Sequence, residues 1–135
     1  MSEAKRKEIN QWLIKSKHDI GSAYVLMNYE EPFFDTAVYH CQQAVEKALK
    51  AYLTYKDVEF EKTHDLVALT DICSELELRF ADWKETAKFL TPYAIEFRYP
   101  GKVLEPEKEE AEKAFADTKS FLDFILKLLP DEVKP

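Results

Sequence analysis

Three polar side chains stand at helical steps inside an otherwise apolar stretch: His40, Gln43 and Glu46. Residues three and four apart share one side of a helix, so an imidazole, an amide and a carboxylate can project together. Polar groups beside an apolar stripe must find hydrogen bonds where they are buried. Two readings stay open. One is a polar pocket that takes an anion such as a phosphate; the other is a buried network that fixes helix packing or a dimer. Arg98 offers a planar guanidinium fork to phosphate oxygens, or else a salt bridge that holds a helix end. Lys47 and Lys50 on the same segment as His40, and Lys102 after Arg98, would make a modest anion site if folding gathered them.

Other chemistry is harder to build. His64 and Asp65 suggest an acid–base pair, but neighbours on a helix point about a hundred degrees apart, and capping explains them more simply. His18, among Lys15, Lys17 and Asp19, reads as a solvated helix position. His40 and Cys41 are sequence neighbours and Cys73 has no partner at ligand spacing, so no metal site is expected. Gly21 and Gly101 are the only glycines, too far apart for a phosphate-cradling loop, and no serine sits in a nucleophile elbow. No cofactor is expected.

These groups must be positioned by helices. Two glycines leave little material for the tight turns of sheets, and no stretch alternates with period two. Ile9, Trp12, Leu13, Ile20, Tyr24 and Met27 mark a first helix over roughly 3–28. Asn28 to Pro32 breaks it, and a second helix follows over roughly 33–56, with Phe34, Ala37, Val38, Cys41, Val45, Ala48, Leu49 and Tyr52 in one stripe. A stripe so broad must meet more than one neighbour. Thr63 is placed as N-cap of a third helix, and Asp82 with Glu85 as a capping box for a fourth. Pro92 predicts either a kink or a break at Thr91, which could cap a short following helix, and Tyr99-Pro100-Gly101 ends it. The last helix runs from about Pro106 to Leu129, with Pro130 to Pro135 as a frayed tail. The fold expected is all-α: an up-and-down antiparallel bundle of four long helices plus a short one. It forms a single domain over 1–135 with its core over about 9–129.

A chain of this length buries roughly two-thirds of its unfolded surface, so a real core is within reach. The net charge of −7 argues against a protein whose whole surface grips nucleic acid, while leaving room for a local basic patch. Cys41 and Cys73 fit reduced thiols in a cytosolic core. There is no run of about 18 apolar residues and no signal-peptide pattern, so the expectation is a cytoplasmic protein off the membrane.

The segment Tyr39-His40-Cys41-Gln42-Gln43-Ala44-Val45-Glu46-Lys47-Ala48-Leu49-Lys50-Ala51 closely resembles the second-helix signature of HEPN domains (higher eukaryotes and prokaryotes nucleotide-binding). Trp12-Leu13 with Asp19-Ile20 and Ala23, Thr63-His64-Asp65-Leu66, and Arg98-Tyr99-Pro100 agree with it in order and separation, from about Trp12 to Leu129. The resemblance implies a dimerising helical bundle that acts as a ribonuclease, as partner of a small nucleotidyltransferase, or as a nucleotide-binding module. Ribonuclease members carry an Arg followed after about four to six residues by an acid–base His. Arg98 stands at the arginine position, but Val103, Leu104 and Glu105 stand where that His should fall, and none can shuttle a proton as imidazole does.

This gap weighs against an enzyme. The reading drawn from it is a non-catalytic, homodimeric module that partners a small nucleotidyltransferase, with Arg98, His40, Gln43, Lys47 and Tyr99 as candidate nucleotide-binding residues. The alternative is a toxin-like endoribonuclease with a rearranged site using Arg98 and His40.

Overall fold

A computed structural model describes residues 1–96 and 105–135 of the chain. Among these residues there is no strand, and six α-helices run in the order α1 (Glu3–Met27), α2 (Phe34–Tyr55), α3 (Leu66–Leu76), α4 (Lys84–Leu90), α5 (Tyr93–Glu96) and α6 (Lys108–Lys127). Two 3-10 helices, Leu78–Trp83 and Asp131–Val133, accompany them. The all-α bundle expected from the sequence is the fold observed. No described helix is long and apolar enough to cross a membrane.

The second helix is the axis of the molecule. It lies antiparallel to α1 along most of its length and also packs against α6, α3 and α5. Small side chains explain how four neighbours fit: Ala37, Ala44, Ala48 and Ala51 are all fully or almost fully buried, and each lets a facing backbone approach. The breadth of the apolar face of α2 is thus used within the chain. At one end of the bundle an aromatic cluster closes the core, where Phe80 is fully buried, Tyr52 lies 4.8 Å from it and Trp83 stacks on Phe121 at 4.8 Å.

Several local expectations shift. Asp65, not Thr63, caps α3, its carboxylate accepting from the N–H groups of Val67 and Ala68; Thr63 Oγ1 instead accepts from the N–H of Asp65. The Asp82–Glu85 capping box does not form, because residues 78–83 wind as a 3-10 helix and Trp83 takes the cap position without a side-chain bond. Thr91 does end α4 before Pro92, and the short helix α5 follows, but the Thr91 hydroxyl accepts from the N–H of Leu66, satisfying the start of α3. The tail is not frayed: Val133 is fully buried and its carbonyl accepts from Asn10 Nδ2 at 3.0 Å. A buried valine and a backbone anchor outweigh the entropy that favours a loose end.

Candidate functional site

Along α1 the buried positions are Ile9, Leu13, Ser16, Asp19 and Ala23. Two of these are polar, and each is matched by α2. Ser16 Oγ donates to the carbonyl of Ala44 at 2.7 Å. Asp19 is satisfied by two cations or potential cations of the facing helix: His40 Nδ1 lies 2.8 Å from Oδ1 and Lys47 Nζ 2.5 Å from Oδ2. His40 and Lys47 are seven residues apart, so they stand on one side of α2 about 10 Å along it. One carboxylate bridges them.

The exposures of the three side chains are graded in a useful way. Asp19 is 10% exposed, whereas Lys47 is 23% and His40 27% exposed. The carboxylate is held inside and the ring reaches solvent. When Nδ1 donates to Asp19, Nε2 is the nitrogen that keeps a lone pair, and it is the one left for a proton from outside. The ring of Tyr39 stands edge-on to it at 5.4 Å. An imidazole oriented by a buried carboxylate is the geometry of a general base or acid.

A second constellation with the same parts lies beside it on α2. Glu46, 5% exposed, accepts from Lys50 Nζ at 3.0 Å and meets His64 Nδ1 at 2.8 Å. Gln42 Nε2 donates to the carbonyl of His64 at 2.8 Å, and Gln43 Nε2 donates to Gln42 Oε1 at 2.7 Å. Trp12 and Phe60 lie 5.7 and 5.9 Å from the ammonium of Lys50. Since Gln42, Gln43, Glu46 and Lys50 are all buried, this network ties the loop before α3 onto α2.

The three-residue pattern that opened the sequence analysis therefore divides. His40 turns to α1, while Gln43 and Glu46 join the network that holds His64. Lys47 and Lys50 do not gather into a free anion site, because each ammonium has its own carboxylate. His64 does not pair with Asp65; it reaches back to Glu46, as only the fold could arrange. Arg98, Tyr99 and Lys102 lie outside the described residues. α5, which packs against α2, ends at Glu96, two residues before Arg98. Among the described residues no trio of His, Cys, Asp or Glu is grouped to hold a metal ion. The thiols of Cys41 and Cys73 are pushed up to about 12 by burial, as expected of inert core cysteines.

Asp19, read from the sequence as part of a solvated face around His18, is instead buried. Its signal was present: a carboxylate on the inward stripe of α1, where an isolated charge is costly and calls for a partner.

Comparison with known proteins adds three findings. The HEPN domain family model matches residues 9–129. The putative toxin MJ1304 of Methanocaldococcus jannaschii is 27% identical over 133 residues, covering 87% of this chain and 86% of that protein. Among solved structures, TT1696 from Thermus thermophilus superposes with a TM-score of 0.76 at 24% identity, over 91% of this chain and 99% of that one. The archaeal HEPN homologue ST0689 does so with a TM-score of 0.71 at 21% identity, over 90% and 98%; these two likenesses bear on the fold. The toxin relative overturns the reading against an enzyme. That reading rested on the histidine missing downstream of Arg98, but spacing within one segment is not the only way to supply an imidazole. The fold supplies an oriented one on α2.

Proposed function

Because the chain belongs to the HEPN domain family, we propose that it is a toxin-like endoribonuclease whose acid–base group is His40. The observation that carries this reading is the 2.8 Å contact between His40 Nδ1 and the buried carboxylate of Asp19. The relative named as a putative toxin supports it. In this reading Nε2 of His40 takes the proton of a ribose 2'-hydroxyl as that oxygen attacks the adjacent phosphorus. The P–O5' bond then breaks, the leaving oxygen takes a proton from solvent, and a 2',3'-cyclic phosphate remains. Asp19 fixes the ring and steadies the imidazolium formed. Arg98 is assigned the phosphate, for which its planar fork is suited.

The test is incubation of the purified protein with mixed single-stranded RNA, followed by analysis of the ends. Cleavage leaving cyclic phosphates, lost in both His40→Ala and Arg98→Ala, is the expected result. RNA left intact by the folded wild-type protein would sink the proposal.

A further inference from the structure

Over α2, α1 and α6 meet only sparsely and leave a groove between them. They run antiparallel there: Tyr24 meets Phe115 at one end, and Asn10 bonds to Val133, just beyond α6, at the other. The groove has a volume of about 350 Å³, within the range of small-molecule sites. Its walls are Leu13 and Ile20 of α1 and Leu122 and Leu126 of α6, and its floor is Ala48 of α2. Ser16 also lines it, but that hydroxyl is already committed to the carbonyl of Ala44.

This lining says what fits and what does not. No aromatic ring is present to stack on a base, and no uncommitted buried polar atom is there to read one. The body of an occupant must therefore be aliphatic. The rim is charged: with Pro135 beside them, Lys17, Lys119 and Lys134 carry three side-chain ammonium groups against the one side-chain carboxylate of Asp123. Lys134 is held by Asp131 at 3.0 Å. Lys17 and Lys119 have no ion-pair partner among the described residues, and the antiparallel register that pairs Tyr24 with Phe115 sets Lys119 about one helical turn along the groove from Lys17. In a chain of net charge −7, a positive rim on an aliphatic trough is a specific complement to an anion with an alkyl tail.

We infer that the groove between α1 and α6 binds an aliphatic carboxylate, with its head between Lys17 and Lys119 and its chain lying over Ala48 toward Leu13 and Leu126. This site is separate from His40, and it stands or falls independently of RNA cleavage.

The test is calorimetric titration of the full chain with hexanoate, octanoate and decanoate, and with decanol as the uncharged control. Amide shifts in NMR spectra locate the site. Saturable one-to-one binding is expected, strengthening roughly fourfold per added methylene until the trough is filled, with shifts confined to 13–20, 48, 119–126 and 134–135. Leu122→Trp, which fills the trough, should abolish binding. Because that change alters a largely buried position, the surface double variant Lys17→Glu/Lys119→Glu provides a second arm. It should weaken decanoate by on the order of tenfold and leave decanol unchanged. Absence of saturable binding, equal affinity for decanol and decanoate, or shifts elsewhere on the protein would each overturn the assignment.

Discussion

Asp19 on α1 and His40 on α2 are joined by a 2.8 Å contact between Oδ1 and Nδ1, and the second oxygen of the same carboxylate meets Lys47. A buried carboxylate is costly unless its charge is answered and its lone pairs are used. Here one α1 side chain meets both needs with two α2 side chains. The arrangement follows the register that the core gives α1 against α2, and it leaves the oriented imidazole of His40 27% exposed. Packing and the proposed chemistry share the same three residues.

The variant Asp19→Asn should separate these roles. The amide can still accept from Nδ1–H, but the charge that steadies the imidazolium is gone, so RNA cleavage should fall by roughly 10²–10⁴-fold. RNA affinity measured by anisotropy should stay near that of the wild type. Equal losses in affinity and rate would instead place Asp19 in substrate binding.

Removing Glu46 attacks the other cluster. Lys50 is 9% exposed and has Glu46 as its carboxylate, so Glu46→Ala strands a buried ammonium and should cost about 3–5 kcal/mol in urea unfolding. The double variant Glu46→Leu/Lys50→Met removes both charges and should recover most of that loss. If the single and double variants were equally unstable, the pair would not be acting as a unit.

Phe80 is fully buried against Tyr52, Phe121 and Phe124. Phe80→Ala should destabilise the bundle by about 3–5 kcal/mol, read as a lower urea midpoint at unchanged slope. A loss well under about 1 kcal/mol would mean that the aromatic cluster collapses around the gap or is not a core.

The buried cysteines set an alkaline limit. Burial raises the thiols of Cys41 and Cys73 from 9.0 to about 12. Between those values the unfolded chain releases protons that the folded chain retains, so their contribution is level below 9.0 and is lost as pH rises toward about 12. The stability difference between the wild type and Cys41→Ala/Cys73→Ala should therefore shrink steadily across that interval. Thiol reagents at neutral pH should label neither cysteine until the chain unfolds; rapid labelling of the native protein would contradict this burial.

The sequence by itself determined the helices. Period, breaker residues and the alanine-rich stripe of Ala37, Ala44, Ala48 and Ala51 are local properties, so the all-α class, the central place of α2 and an interruption before Pro92 could be read from residue order. The resemblance carried by residues 39–51 located the family for the same reason, since a helix keeps its signature contiguous. What only the tertiary structure decided is who pairs with whom. Asp19 reaches His40 across 21 positions and His64 reaches Glu46 across 18, and no local rule links residues that far apart. A carboxylate desolvated by packing takes whichever cation the neighbouring helix presents, so the two clusters come from the register of α1 and the loop before α3 against α2. That register is set by the whole core.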